Sequence, residues 1–369
     1  MRKPLPWTLL ALALVAADCP GQDDPQTKLA AEVRTKGWIV YSAPSGADRD
    51  DGDWDLFLMR PDGSERRNIT RTPAFREAGA RFSPDGKRIL YYRLPKGTPV
   101  DNTTYGTFEL VIARADGADP AVYGREYPWA AWGADSWEIA CLSIKGISLV
   151  DLATRKVVRR LERKGMVQQL GWSPDGQWLC GTANGLGEYW AIGRMDAAAG
   201  TINAVSDSDC FNCTPDWFPD SAHIIYSKGH PRTEGWAQLW MAGGDGRGRR
   251  MIYGEIGRHV YGGALSPDGR YVLFTRSEQD LGKVDNSRTT MALMRLSDAP
   301  IVGGKSEVLR NAYPNAKTGP VLDLSWGWEP HWTYTDVKAR NPKPETRNKS
   351  KAPNPNAQNA RSGVLDSGC

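Results

Sequence analysis

The chain has 369 residues, 40% hydrophobic and 24% charged, with a mean hydropathy of −0.51. That composition belongs to a globular protein with a sizeable core and excludes a polytopic membrane protein. The net charge of +4 sits in the C-terminus: residues 338–369 hold seven Lys/Arg against two Asp/Glu, leaving 40 basic and 41 acidic residues in 1–337, so a nucleic-acid groove in the body is not expected.

From the N-terminus, Met1-Arg2-Lys3, the apolar run Leu9 to Ala17 and the small residues Val15 and Ala17 predict a secretory signal peptide cleaved after Ala17. The run is too short to span a bilayer core of about 30 Å. Export to the periplasm or the outside is therefore expected, with no membrane span. Cys19 raises a lipid anchor, but Asp18 just before it argues against one. Residues 18–37 read as a linker.

One phrase then returns at a near-constant period. It stands as ARFSPDGKRILYYR (80–93), AAWGADSWEIACLS (130–143), LGWSPDGQWLCGTA (170–183), PDWFPDSAHIIYSK (215–228) and ALSPDGRYVLFTR (264–276), with a degraded copy LSWGWEPHWTYTDV (324–337). Steps between Phe82, Trp132, Trp172, Trp217, Leu265 and Trp326 are 50, 40, 45, 48 and 61 residues. Pro, Asp and Gly suit a turn between an apolar strand and an alternating one such as Ile89-Leu90-Tyr91-Tyr92. A third strand follows, such as Glu109-Leu110-Val111-Ile112-Ala113-Arg114 before Asp116-Gly117, and then a more polar fourth. Four antiparallel strands repeated at this period make the blade of a β-propeller.

In these motifs the chain resembles the TolB-like β-propeller family, over about residues 38–337. The resemblance implies an all-β, six-bladed propeller without the α/β domain that precedes the propeller in TolB. Such blades serve binding proteins, lyases and peptidase domains alike. Closure is expected from Val321 to Trp326 lying beside Trp38-Ile39-Val40-Tyr41, with Trp332-Thr333-Tyr334-Thr335 as the start of a partial seventh blade in the alternative. Residues 338–369, rich in Pro, Asn, Lys and Arg, read as a disordered basic tail.

Catalytic signatures are absent: no G-x-S-x-G, Walker loop, dinucleotide fingerprint or H-E-x-x-H occurs. Propeller pectate lyases hold a divalent metal with several His; the four here are His223, His230, His259 and His331, and only His259 and His230 are expected on one face. The loop Asp48-Arg49-Asp50-Asp51-Gly52-Asp53-Trp54-Asp55 suggests calcium but misses EF-hand spacing, so no cofactor is expected and calcium or another divalent metal is the alternative. Cys210-Phe211-Asn212-Cys213 is a candidate disulfide in an exported chain, with free thiols as the alternative. Periodic Trp132, Trp172, Trp217 and Trp326 read as packing between blades rather than sugar platforms.

Three connections between second and third strands are long: Ala43 to Asp53, Leu94 to Thr107 and Ser277 to Thr289. In a closed ring their blades, one, two and six, are neighbours. Asp50, Asp101, Asn102, Tyr105, His259, Asp285, Asn286 and Arg288 are thus the candidate ligand-binding residues, on loops carried by a rigid scaffold. Asp and Asn in such loops also serve their own turns. The expected function is non-catalytic binding of a protein, peptide or glycan in the cell envelope by a monomer. A metal-dependent polysaccharide lyase and a scaffold tethered by its basic tail are the alternatives.

Overall fold

The computed structural model describes residues 24–45, 53–98, 108–125, 127–229, 237–255, 258–277, 288–299, 302–303 and 319–338. Helix α1 (Pro25–Val33) precedes blade one, which contains β1 (Trp38–Pro44), β2 (Trp54–Met59) and β3 (Arg67–Asn68). Blade two is β4 (Phe75–Phe82), β5 (Arg88–Pro95), β6 (Glu109–Arg114) and β7 (Ala121–Arg125); blade three is β8 (Trp129–Trp132), β9 (Glu138–Ser143), β10 (Gly146–Asp151) and β11 (Lys156–Leu161). Blade four is β12 (Met166–Trp172), β13 (Trp178–Ala183), β14 (Ala191–Asp196) and β15 (Ile202–Ala204). Blade five is β16 (Asn212–Trp217), β17 (His223–Lys228), β18 (Gln238–Gly243) and β19 (Arg250–Tyr253). Blade six opens with β20 (His259–Leu265), β21 (Tyr271–Ser277) and β22 (Thr289–Arg295); β23 (Val302–Gly303), β24 (Leu322–Trp326) and β25 (Trp328–Thr333) follow.

The ring is a six-bladed propeller of antiparallel blades, as expected, but a different strand closes it. β25 pairs with β1, placing Trp38 opposite Thr333, Ile39 opposite Trp332 and Val40 opposite His331. β24, expected to close the ring, is instead the outer strand of blade six, beside β22. Burial explains the choice: Trp328 and Trp332 are each 2% exposed, whereas Trp326 is 38% exposed. Gly327 makes the step between the strands at φ 149°, where an added Cβ would lie 2.5 Å from the Tyr41 ring. The chain crosses β1 too closely for a side chain. β23 was not foreseen either. It adds to β19 as a fifth strand of blade five, reaching back from the segment after β22.

Apolar side chains gather between neighbouring blades. Ile39, Tyr41, Phe57 and Met59 of blade one meet Tyr271, Leu273, Met291 and Leu293 of blade six, and each other junction has its own cluster. Both faces of every blade are therefore apolar, which is why central strands read as near-continuous hydrophobic runs. Part of the expected linker is the helix. Asp24 caps it by accepting from Thr27 N–H at 3.0 Å, Leu29 and Val33 enter the junction of blades six and one, and Glu32 binds Arg295 and the Tyr271 hydroxyl.

The repeated turn works as its residues imply. Ser83 Oγ donates to Asp85 Oδ1 at 2.6 Å and accepts from Arg88 N–H at 3.1 Å, while Asp85 Oδ1 also accepts from Lys87 N–H at 3.1 Å. Ser173 with Asp175 and Ser266 with Asp268 repeat the arrangement. These turns set the ends of the inner strands, and hence the mouth of the central channel. Among the described residues no helix is long and apolar enough to cross a membrane.

Candidate functional site

Phe82, Trp132, Trp172, Trp217, Leu265 and Trp332 occupy one position of the repeat, and with the adjoining turns they line a funnel of about 410 Å³ on the turn face. Trp332 thus takes the place expected for Trp326. Trp132, Trp172 and Trp217 pack between blades as expected, whereas Trp326 is 38% exposed; Trp132 Nε1 donates to Arg81 O at 2.9 Å and Trp172 Nε1 to Gly176 O at 3.0 Å. One residue before these positions stand Arg81, Ala131, Gly171, Asp216 and His331, all at the funnel wall. Three chemically distinct groups are therefore carried to one level of the axis from blades two, five and one.

Deeper, the channel narrows to about 40 Å³ between Gly79, Trp129, Gln169, Thr214, Gly262 and Glu329. At this level Gly79, Gln169, Thr214, Gly262 and Glu329 all have left-handed φ, between 50° and 67°, and the ladder register shifts beside each. These are β-bulges, a device concentrated where strands must re-aim side chains. For non-glycine residues the conformation costs about 1–3 kcal/mol each. Hydrogen bonds around the ring hold it: Gln169 Oε1 accepts from Thr214 N–H at 2.8 Å, Thr214 Oγ1 from Gly262 N–H at 3.1 Å, and Thr275 Oγ1 from Glu329 N–H at 3.2 Å.

The Arg81 guanidinium donates to the carbonyls of Ala80 at 3.3 Å and Glu329 at 3.2 Å, and among the described residues it forms no ion pair. Asp216 Oδ1 accepts from Trp217 N–H at 2.8 Å. Burial raises the carboxyls of Asp216 and Glu329 above the ordinary carboxylate range, with Arg81 opposing the shift in both. His331 Nδ1 accepts from Phe82 N–H at 3.2 Å; burial, and then Arg81, push this imidazole down to about 3. At neutral pH it is uncharged, with its proton on Nε2. The site thus offers one cation, two carboxyls raised by burial and a neutral imidazole below an apolar mouth. Sequence reading missed Arg81, Asp216 and Glu329.

Most of the crescent expected from the sequence, namely Asp50, Asp101, Asn102, Tyr105, Asp285 and Asn286, lies outside the described residues, as do Cys19, His230 and the segments 1–23 and 339–369. Arg288 is exposed. His259, a candidate for the loop-rich face with an ordinary surface or hydrogen-bonded histidine as the alternative reading, is fully buried, with Nδ1 accepting from Ala237 N–H at 3.1 Å and burial pushing it down to about 4. The described part of the acidic loop is engaged by protein donors: Asp53 pairs with Lys96 at 3.0 Å, and Asp55 accepts from Asn68 at 2.5 Å. Among the described residues no three His, Cys, Asp or Glu side chains gather as a metal site needs. Of the two readings of Cys210 and Cys213, the structure has the free thiols: both are buried, and burial pushes each up to about 12.

No protein-family model and no curated protein matches the chain. Solved structures do resemble it. TolB from Acinetobacter baumannii aligns at 14% identity and a TM-score of 0.58, over 81% of this chain and 67% of that one. A TolB from Agrobacterium tumefaciens aligns at 19% and 0.52, over 79% and 91%. A chain of a nidogen/laminin complex aligns at 12% and 0.53, over 80% and 98%. The fold is thus the six-bladed propeller seen in the TolB structures.

Proposed function

We propose that this protein is a non-catalytic recognition module of the cell envelope whose axial funnel receives an extended segment of a protein partner. The observation that carries the reading is the set of polar groups at the funnel floor that the fold leaves unpaired with one another. Arg81 makes no ion pair among the described residues although Asp216 and Glu329 both feel its charge. Polar groups held below an apolar rim are what a ligand's own donors and acceptors satisfy. A funnel of about 410 Å³ admits a few side chains of an extended strand. The nidogen/laminin structure, a complex, lends support to a protein partner. Export rests on the basic and apolar N-terminus.

The test is capture of partners from envelope extract by the wild type, by Arg81→Gln with Asp216→Asn, and by Arg288→Ala. Loss of capture by at least tenfold in the funnel variant, with its thermal unfolding kept and Arg288→Ala unaffected, is the expected result. Undiminished capture by the funnel variant overturns the reading. So does release of ultraviolet-absorbing unsaturated sugars from a pectic polysaccharide.

A further inference from the structure

The outermost strand of a blade presents a row of backbone N–H and C=O groups that nothing in its own sheet satisfies. Five of the outer strands are short, half-buried or covered. β3 has two residues and β15 three, β7 is largely half-buried, and β24 is anchored by Asp323 on Arg276. β19 already carries β23 along its edge. β11 differs from all of these: six residues long and exposed from Lys156 to Arg160, it is the outer strand of blade three.

Its chemistry is equally uneven. Residues 155–164 hold six bases, Arg155, Lys156, Arg159, Arg160, Arg163 and Lys164, and one acid, Glu162, whereas the rest of 1–337 holds 34 basic and 40 acidic residues. Among the described residues only Lys164 makes an ion pair here, with Glu162 at 2.7 Å. Arg159 spends its donors on the carbonyls of Ala197 and Ala198, and Arg160 on the Ser148 hydroxyl. Between the bases stand two exposed valines, Val157 at 37% and Val158 at 57%. The register shift opposite Leu149 and Val150 leaves Val158 outside the ladder, where it lines a groove of about 530 Å³ with Leu149 and Trp172.

We propose that β11 is a docking edge for an acidic, extended polypeptide segment that adds to blade three as a fifth strand. Three observations select this occupant. A sheet edge unpaired among the described residues, with exposed β-branched residues, suits a strand, and main-chain pairing is something only a polypeptide supplies. Charge selects an acidic one: a second copy of β11, or the basic segment 338–369 of this chain, would meet like charge. The molecule also contains the geometry, since β23 joins blade five in the same way, with Val302 opposite Met251 and Gly303 opposite Arg250.

The probe is a fluorescent ten-residue peptide alternating Glu and Val, titrated into the full chain at low salt beside the same peptide with one central Val replaced by Pro. A uridine decamer and phosphatidylglycerol vesicles are the other arms. We expect saturable binding of the alternating peptide, at least tenfold weaker binding of the proline peptide, and slowed amide exchange across residues 156–161. Lys156→Glu with Arg160→Glu, two exposed positions whose change leaves thermal unfolding in place, should weaken binding at least tenfold. No binding, equal binding of the proline peptide, preference for the decamer or the vesicles, or protection elsewhere than β11 would each overturn the proposal. Because β11 is remote from Arg81 and Asp216 in the repeat, the funnel variant should bind the peptide normally.

Discussion

Trp332→Ala should destabilise the protein by about 3–5 kcal/mol, the range for emptying a buried tryptophan site, while Trp326→Ala should cost about 1 kcal/mol or less. The two lie six residues apart, and either would close the ring if composition alone decided. Trp332 packs with Tyr41, Tyr271 and Met291 where blades six and one meet, and its Nε1 donates to the carbonyl of Lys36 after the helix. Removing it leaves a cavity in that junction and takes the donor from a part-buried carbonyl. Trp326 stands more than a third exposed on an outer strand. Urea unfolding followed by circular dichroism measures both, and a Trp326→Ala loss equal to or above that of Trp332→Ala would contradict the strand assignment.

The same pair shows where the sequence was readable. Inner strands β4, β8, β12, β16 and β20 are legible because each runs into a turn carrying at least the Asp of the motif, whose bonds the structure repeats. The sixth copy has Thr333-Tyr334-Thr335 in place of Ser-Pro-Asp, although Thr333 Oγ1 still accepts from Thr335 N–H at 3.2 Å. With Pro and Gly gone, the nearer tryptophan looked equally good. Helix α1 was opaque for another reason. Nine residues are marginal as an isolated helix, and it is held by Leu29, Val33 and Glu32 reaching other parts of the chain.

The floor of the funnel was hidden by the repeat itself. A repeat is recognised from what its copies share, and the position before the large apolar residue is the one they do not share: Arg81, Ala131, Gly171, Asp216, Ala264 and His331. Ring closure makes such a position a level on the axis, so its variation is where a conserved scaffold would acquire an individual site. Comparing the copies residue by residue would have exposed it. Loop length pointed elsewhere, to the opposite face, and most of that crescent falls outside the described residues.

Relative to wild type, Glu77→Gln should gain stability progressively between about pH 5 and pH 8 and be the more stable protein at pH 8.5, by several kcal/mol. Glu77 lies on β4, fully buried between blades one and two. Burial, with the neighbouring Asp55 carboxylate adding to it, pushes its carboxyl up to about 8, against the Thr72 hydroxyl that donates to Oε1 and the charge of Arg93. Arg93 is already spent on Glu109, at 2.7 Å. An unfolded glutamate titrates near about 4.3. Between those values the folded state holds the proton and the unfolded state has released it, so the contribution of Glu77 to the slope of stability against pH is negative. The contribution is complete below the unfolded value and gone above about 8. At 1.36 kcal/mol per unit it amounts to roughly 3–5 kcal/mol. Glutamine keeps the shape and an oxygen for Thr72, and brings an N–H donor beside Asp55 where the protonated acid brings its O–H. Chemical unfolding of both proteins at intervals from pH 5 to 9 checks this through their difference, in which the rise due to buried His259 and His331 cancels: a difference that stays constant over that span would show that Glu77 does not titrate as argued.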